Sequence, residues 1–255
     1  TALISVIKQC KKKNIKFKVI GLGANLLFSD NGYDGAIIVN RTNNLTFRKN
    51  CVYADSGINI TNLIKKCYIR SLSGLENLSG IPASIGGASV NNLGAFGTSF
   101  DEFVDYVKVV DINNPDKILK LYKKDCDFNY RHSLFQNSDL VVLRVKLVLN
   151  KDNQTLIQKR ISSAIEKKVS TQPVNLPSAG SVFKRTDIIP AKIIDELSLK
   201  GLTVGKAQIS KKHAGFIVNL GGATCEDVKG LISIIKYRVH ASTGKTLEPE
   251  IEIVE

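Results

Sequence analysis

The chain has 255 residues, of which 43% are hydrophobic and 23% charged, an ordinary composition for a globular protein of one large or two modest domains. It contains no apolar run of about 18 residues or more, so no transmembrane helix is predicted. Five cysteines without CxxC spacing argue against a disulfide framework and a zinc site and favour a reducing cytoplasm, and three scattered histidines predict no metal centre.

The formal net charge is +13, with lysines in short runs such as residues 11–13. Three interpretations stay open: a solvated lysine-rich surface, a site for phosphate-bearing small molecules, or nucleic-acid binding. Because the aromatic residues, 7% of the chain, are not interleaved with the basic runs, we favour the solvated surface.

Hydrophobic periodicity predicts the elements of the N-terminal half. The expected helices are 3–13 and 60–67, the second with its N-cap near Asn59 or Thr61. The expected strands are 17–20, 36–39, 52–57, the arms of a hairpin over 104–120 that turns at 113–116, and 140–149.

The polar stretch 150–154 is the expected boundary between domains spanning 1–150 and 151–255. Beyond it we expect helices at 156–169, 191–197 and 226–239, and strands at 209, 216–220 and 251–254. Thr224 and Asp227 predict a capping box for the last helix. Helices and strands that do not alternate regularly favour an α+β fold over a doubly wound sheet.

Residues 1–6 carry neither a charged segment nor a cleavage site, so we do not expect them to be a signal peptide. The chain has no methionine and opens inside a helical pattern. We therefore expect that part of the N-terminal domain lies upstream of Thr1.

A glycine loop, GLGAN at 21–25, follows a predicted strand and begins like a dinucleotide-binding fingerprint. Leu26 replaces the third glycine, and Asn40 and Arg41 stand where an acidic residue would close the next strand. A tight turn would explain these glycines, and they would equally let main-chain N–H groups approach a pyrophosphate.

A second glycine-rich stretch, GIPASIGGASVNNLGAFG at 80–97, has five glycines and no charged residue. An exposed loop of this length would normally carry charges, so we expect the stretch to be buried. Its backbone would then pack against a large flat ligand, with N–H groups turned to phosphates.

Three motifs offer a donor, a cation and an acid. PSAGS at 177–181 predicts a bend that presents Ser181 to a ligand. Arg131 could bind a substrate carboxylate bidentately or form a surface cation–π pair. Glu250 in LEPE at 247–250 is an acid beside a proline, a setting that is often solvated. Together they are the groups needed to make and quench a carbanion next to a carboxylate.

In this order the motifs resemble the UDP-N-acetylenolpyruvoylglucosamine reductase family, from about residue 3 to the C-terminus. Arg185, and the short spacing between Arg131 and Ser181, resemble the branch that lacks a tyrosine-bearing loop over the substrate. The matching pieces are GLGANLLFSD at 21–30, GIPASIGGASVNNLGAFG at 80–97, FNYRHSLF at 128–135, PSAGSVFKR at 177–185, HAGFIVNLGGAT at 213–224 and LEPE at 247–250.

The resemblance implies an FAD-binding domain of the p-cresol methylhydroxylase / vanillyl-alcohol oxidase type, followed by a smaller α+β substrate domain. It implies FAD as cofactor and NADPH as co-substrate in the reduction of UDP-N-acetylglucosamine enolpyruvate to UDP-N-acetylmuramate, a step of peptidoglycan precursor synthesis. We expect small-molecule substrates as partners, no nucleic acid, no membrane, and a monomer.

The resemblance also implies site residues. Ser181 would protonate C2 after hydride reaches C3, while Arg131 and Glu250 stabilise the enolate-like charge. The residues assigned to the cofactor are Gly21, Gly23, Ala24, Asn25, Leu26, Gly80, Ile81, Pro82, Gly86, Gly87, Asn91, Gly94 and Ala95. Those assigned to the substrate are Tyr130, Lys168, Lys184, Arg185 and His213.

Two other functions stay open from the sequence. Another flavin oxidoreductase of the same fold, such as an oxidase, would carry a covalent flavin on a His or Cys of the first domain, where His132 is the only histidine. A non-catalytic basic protein would bind nucleic acid with a steep salt dependence.

Overall fold

The structure is a computed structural model, and it describes residues 2–255. Its helices are α1 (Ala2–Lys12), α2 (Ile60–Tyr68), α3 (Ile85–Val90), α4 (Gln154–Thr171), α5 (Pro190–Glu196) and α6 (Cys225–Thr243). Its strands are β1 (Phe17–Ile20), β2 (Leu26–Phe28), β3 (Ala36–Val39), β4 (Leu45–Arg48), β5 (Cys51–Asp55), β6 (Leu72–Ser73), β7 (Gly94–Ala95), β8 (Thr98–Ser99), β9 (Val104–Asp111), β10 (Asn114–Tyr122), β11 (Leu140–Val148), β12 (Asn150–Lys151), β13 (Ser178–Ser181), β14 (Thr203–Val204), β15 (Ala207–Ile209), β16 (Phe216–Asn219) and β17 (Glu252–Val254). The elements expected from periodicity are confirmed, whereas α3 and several short strands such as β2 and β4 were not expected.

The chain forms two compact units. The first comprises the described residues up to Gly23 together with Gly35–Glu166. The second comprises Ala24–Asp34 together with Lys167–Glu255. The short segment Ala24–Asp34 is therefore inserted into the sequence of the first unit but belongs to the second.

The division between the units falls inside α4, not at residue 150. Strand β12 pairs with β6 of the first unit, and Ile161 of α4 packs against the core of that unit. Arg160 of α4 also contacts Glu76 and Asp152. The polar residues after 150 thus form an exposed edge strand and a helix start rather than a linker.

The first unit is built on an antiparallel sheet in the order β10-β9-β11-β5-β4. Helices α2 and α3 cover one face of this sheet through apolar residues such as Leu63 and Ile85, which are fully buried. The expected hairpin is confirmed as β9 and β10. Its turn comes before 113–116 because Asn114 already pairs with Asp111.

Strands β1 and β3 form a parallel pair in the first unit. Leu3 and Ile7 of α1 pack with Val110 and Leu143 in a smaller apolar cluster. Since parallel strands have their carboxyl ends at the same edge, the loops that follow β1 and β3 are neighbours.

The second unit contains an antiparallel sheet in the order β13-β16-β15-β14 and a parallel pair of β2 with β17. Its core includes Ile194 of α5 and Leu231 of α6. The capping box expected at Thr224 and Asp227 is confirmed.

Helix α6 has a further cap that comes from a distant part of the sequence. The Asp30 carboxylate accepts hydrogen bonds from the N–H groups of Cys225 at 2.7 Å and Glu226 at 3.2 Å. A carboxylate stabilises a helix N-terminus because it satisfies N–H groups that lack partners within the helix and faces the positive end of the helix dipole. Asp30 therefore fixes the inserted segment to α6.

The bend expected at 177–181 is a strand with a bulge. Ser178 pairs with Val218 and Ser181 with Phe216, and the register between these pairs is irregular. Gly180 has φ +83°, a left-handed conformation that glycine adopts readily. Bulges in edge strands re-aim side chains, and here the bulge lies directly before Ser181.

The mixture of antiparallel sheets and helices confirms the α+β class. Among residues 2–255, no helix combines the length and apolar character that crossing a bilayer requires.

Candidate active site

The glycine loop lies at the carboxyl edge of the parallel strands in the first unit. Ile20 pairs with Val39, so Gly21 and Asn40 follow the two strands side by side. A Cβ atom on Gly21 would lie 2.1 Å from Ser84 Oγ. The loop therefore passes directly against the start of α3, at the edge where open parallel sheets bind ligands.

A polar cluster supports this edge. Asn40 is buried; its Nδ2 donates to Ser56 Oγ at 2.8 Å, and its Oδ1 accepts from the N–H and the hydroxyl of Thr42 at 3.0 and 2.9 Å. A Cβ on Gly57 would lie 2.5 Å from the main-chain N and O of Thr42. The close approach fixes the turn after β5 against the end of β3.

The first N–H groups of α3 bond to the protein. Ile85 donates to the carbonyl of Ile58 at 2.8 Å, and Gly86 donates to that of Ser56 at 2.7 Å. Gly87 donates to Ser84 Oγ, the N-cap side chain, at 3.1 Å. For Gly86 and Gly87, the expectation that the N–H groups turn to phosphates is therefore wrong, because the turn after β5 and the Ser84 side chain accept those hydrogen bonds.

The glycine loop itself keeps donors for an anion. Within residues 2–255, the main-chain N–H groups of Leu22 and Gly23 donate to no protein acceptor. Gly23 has φ +71°, and successive N–H groups in such a turn form a concave anion site. This loop fits the pyrophosphate of a dinucleotide such as FAD.

The rest of the 80–97 stretch is only partly buried. Gly80 and Pro82 are exposed, whereas Ile81 and Ala95 pack against the core of the first unit. Gly80 has φ +72°, so its backbone turns where the chain reaches the surface. The exposed backbone at Gly80 and Pro82 is accessible to a ligand, and the side chains of Ile81 and Ala95 hold the stretch against the core.

Arg131 stands on a tight turn. Asn129 and His132 exchange two main-chain hydrogen bonds of 3.1 Å, and Arg131 between them has φ +52°. The buried Ser133 hydroxyl donates to the carbonyl of Val90 at 2.6 Å. These bonds fix the turn to the C-terminal end of α3.

Further contacts bring Arg131 together with two predicted cofactor residues. Gln136 Nε2 donates to Asn91 Oδ1 at 2.9 Å and to the carbonyl of Arg131 at 3.2 Å. A Cβ on Gly94 would lie 3.2 Å from Arg131 Nη1. The exposed Tyr130 ring has its centroid 5.5 Å from Arg131 Cζ. The guanidinium is thus placed beside the glycine-rich stretch.

Ser181 ends the edge strand β13 of the second unit. It pairs with Phe216, and the next residue, Val182, donates to the carbonyl of Gly215 at 2.9 Å. Ser181 is half-buried, and within the described chain its hydroxyl bonds to no other protein group. That hydroxyl is available to a ligand.

Glu250 lies on the segment next to Ser181. The N–H of Glu250 donates to the carbonyl of Val182 at 2.7 Å, and the N–H of Lys184 donates to that of Glu248 at 2.9 Å. The structure therefore brings Ser181 and Glu250 onto neighbouring segments of the second unit, whereas Arg131 belongs to the first.

Three predicted cofactor residues, Ala24, Asn25 and Leu26, belong to the second unit. Asn25 Nδ2 donates to the carbonyl of Glu250 at 2.9 Å, and the carbonyl of Asn25 accepts from the N–H of Glu252 at 3.0 Å. Leu26 then opens β2, which pairs with β17. The Asn25 amide is thus engaged with the segment that carries Glu250.

Comparisons with known proteins match both units. Residues 172–254 match the family model described as UDP-N-acetylenolpyruvoylglucosamine reductase, C-terminal domain, and residues 1–116 match the FAD binding domain. The reductase of that name from Pseudothermotoga lettingae is 40% identical over 92% of this chain and 83% of its own length. The one from Caldanaerobacter subterraneus is 36% identical over 99% and 83%. This chain belongs to the UDP-N-acetylenolpyruvoylglucosamine reductase family.

The crystal structure of the reductase from Thermus caldophilus resembles the whole chain. The TM-score is 0.83 at 30% identity, and the match covers 98% of this chain and 90% of the other. Family membership confirms the expected fold, FAD as cofactor and the FAD-dependent reduction of UDP-N-acetylenolpyruvoylglucosamine in peptidoglycan precursor synthesis. The oxidase and the non-catalytic nucleic-acid protein are therefore set aside.

Among the cationic residues expected to bind substrate in this reductase, the structure distinguishes Lys168 from Lys184. Lys184 Nζ pairs with Glu248 Oε1 at 2.6 Å. Lys168 is 9% exposed, and burial lowers its pKa to about 8 from 10.5. Arg185 is exposed.

His213 shapes a turn in the reductase. Its Nδ1 accepts from the N–H of Gly215 at 3.1 Å, so the neutral ring carries its proton on Nε2. Burial lowers the pKa of His213, and its ring packs edge-on against Phe216 with centroids 5.0 Å apart. A neutral His213 ring can donate one hydrogen bond from Nε2.

Sequence reasoning missed three polar residues close to the glycine loop, at the carboxyl edge of β1 and β3: Asn40, Ser56 and Ser84. Each stands directly after a strand or at a helix N-cap, and that position was the available signal. Their mutual contacts depend on which strands are neighbours, and no local pattern encodes that arrangement.

Proposed function

We propose that this reductase takes its electrons from NADPH, acts in the cytoplasm in support of cell-wall growth, cell shape and division, and relies on Ser181, Arg131 and Glu250 for its chemistry. The observation that carries the proposal is the Ser181 hydroxyl. It bonds to no protein group among residues 2–255, and the adjacent Val182 is bonded directly to Glu250.

Ser181 is proposed as the proton donor. When bound, FAD supplies the hydride that adds to C3 of the enolpyruvyl ether. The electron pair of the double bond then moves onto C2 and its carboxylate. A hydroxyl held beside C2 completes the reduction by giving its proton to that carbon, and general acid catalysis of this kind contributes about 10²–10⁴ in rate.

Arg131 is proposed to bind the substrate carboxylate, where charge develops. A guanidinium matches a carboxylate with two parallel hydrogen bonds, and its positive charge stabilises the enolate-like state more than the ground state. The turn that holds Arg131 is bonded to the end of α3 through Ser133, so the backbone that carries the cation is fixed before substrate arrives.

Glu250 is proposed to stabilise the same developing charge. In its protonated form it can donate a hydrogen bond, whereas a carboxylate would repel the enolate. Glu250→Gln keeps a donor at this position and Glu250→Ala removes it, so the glutamine variant should retain more of the rate if donation is what matters.

The binding roles follow from the available groups. The N–H donors of Leu22 and Gly23 are proposed to hold the FAD pyrophosphate, with the exposed backbone at Gly80 and Pro82 beside the cofactor. Lys168 is a stronger candidate than Lys184 for binding the UDP diphosphate, because the positive charge of Lys184 is already paired with the Glu248 carboxylate.

The decisive experiment separates the two half-reactions. In Ser181→Ala, NADPH should bleach the FAD-loaded protein at the normal rate, while reoxidation by the enolpyruvyl substrate should slow by about 10²–10⁴. Ser178→Ala, on the same strand but exposed, is the matched control and should change neither rate. Unchanged reoxidation in Ser181→Ala would exclude Ser181 as the donor.

A further inference from the structure

Both main-chain polar groups of Glu250 are held by other segments of the second unit. Its N–H donates to the carbonyl of Val182 at 2.7 Å, and its carbonyl accepts from Asn25 Nδ2 at 2.9 Å. The first bond joins two main-chain groups and is independent of side-chain identity. The second requires a carboxamide at position 25.

The Asn25 side chain extends a β-ladder beyond the end of its strands. Pairing of β17 with β2 begins at Glu252 and Leu26, and the N–H of Glu252 donates to the carbonyl of Asn25 at 3.0 Å. The side chain adds a bond two residues earlier, at Glu250. Asn25 is thus hydrogen-bonded to the chain on both sides of the buried Ile251, to the carbonyl of Glu250 and to the N–H of Glu252.

We propose that Asn25 is a positioning residue for Glu250. Through its bond to the Glu250 carbonyl it supports the half-reaction in which the enolpyruvyl substrate reoxidises the flavin, and it does not act by changing the affinity for FAD. The inference rests on the proposed role of Glu250. Asn25 comes two residues after Gly23, so one short segment contains both the anion-binding loop and the side chain that holds the Glu250 main chain. A catalytic group displaced by about 1 Å loses on the order of 10²-fold in rate, which sets the scale expected.

The test uses Asn25→Ala and Asn25→Asp in the FAD-loaded protein. Aspartate has nearly the same shape but offers an oxygen to the Glu250 carbonyl, so it cannot replace the donor. Reoxidation by the enolpyruvyl substrate should slow by about 10- to 100-fold in both variants. Bleaching by NADPH and the Kd for FAD should stay unchanged. Asn31→Ala, an exposed position on the same inserted segment, is the control.

A double-mutant cycle separates this inference from a direct role in cofactor binding. If Asn25 acts through Glu250, Asn25→Ala should add no further loss in a Glu250→Ala background. If the fold losses in reoxidation rate of the two single variants multiply in the double variant, the inference is wrong. It is also wrong if Asn25→Ala weakens FAD binding enough to account for the slower reoxidation. Normal reoxidation in Glu250→Ala alone would instead overturn the proposed function.

Hydrogen exchange in the flavin-free protein provides a readout that does not depend on catalysis. The amides of Glu250 and Glu252 should exchange faster in Asn25→Ala than in Asn31→Ala, because the support on one side of the segment is gone. Exchange at the control rate would refute the positioning role whatever the kinetics show.

Discussion

Gly21→Ala tests whether the glycine loop and the start of α3 meet as closely as the structure indicates. The added Cβ would lie 2.1 Å from Ser84 Oγ and 3.0 Å from Ser84 Cβ, well inside the ~3.5 Å contact distance of nonbonded atoms. Turning the serine away would relieve the clash but would break its N-cap bond to Gly87, worth about 1 kcal/mol. Overpacking itself costs about 1–3 kcal/mol, so the two contributions together give an expected loss of about 2–4 kcal/mol.

Thermal unfolding of the flavin-free protein measures this loss, at about 2–4 °C per kcal/mol for a chain of this size. Gly87→Ala is the matched control, because its Cβ would meet the same Ser84 Oγ at an ordinary 3.5 Å and alanine favours a helix by about 1 kcal/mol. The double variant Gly21→Ala/Ser84→Ala should lose less than the two single losses combined, since removing the hydroxyl removes most of the clash. Strictly additive losses, or a Gly21→Ala protein as stable as the parent, would refute the contact.

Two further predictions concern buried charges. Burial lowers the pKa of Lys168 to about 8 from 10.5, so as the pH rises the folded chain loses the Lys168 proton at a lower pH than the unfolded chain does. The unfolded chain therefore binds more protons between about pH 8 and 10, and the free energy of unfolding should rise over that range. Urea unfolding should show that rise in the parent and not in Lys168→Met, and equal pH slopes would contradict it. Arg160→Ala removes a guanidinium 2.9 Å from the buried Glu76 carboxylate and should cost about 2 kcal/mol, less than a fully buried pair because the Arg160 side chain is 40% exposed. Adding Glu76→Gln should restore part of the melting temperature, and a further drop would show that the stranded charge is not the cause.

The sequence predicted elements whose determinants are local. The Thr224–Asp227 capping box and the Asn59 N-cap use side chains within three residues of the groups they bond, and both are found. Strand β11 is apolar except for Arg144 and Lys146, a pattern that needs no tertiary information to recognise.

Helix α3 was missed because its sequence argues against a helix. IGGASV contains two adjacent glycines, which disfavour helix formation, and the segment is only six residues long. Its stability comes from Ser84 as N-cap and from the fully buried Ile85 and Ala88. Packing outweighs propensity here, and the packing partners are far away in sequence.

The sequence proposed residues for the candidate site but did not predict the hydrogen bonds between the segments that carry them. The motifs located Ser181 and Glu250, yet nothing local indicates that Glu250 bonds to Val182. Similarly, a boundary placed on polar composition could not detect that α4 packs with the first unit through Ile161. Both features depend on strand order and tertiary packing, which a hydrophobic pattern does not contain.

The motif GLGANLLFSD at 21–30 is one continuous run whose two parts have different structural roles. Its first part, through Gly23, offers the N–H donors suited to a pyrophosphate, and it belongs to the first unit. Its second part bonds within the second unit: Asn25 holds the Glu250 carbonyl, β2 pairs with β17, and Asp30 caps α6. Because these contacts are made to different partners, substitutions in the two parts should have different consequences. Changes before residue 24 should weaken FAD binding, whereas loss of the Asp30 carboxylate should destabilise the second unit and leave the anion-binding loop intact.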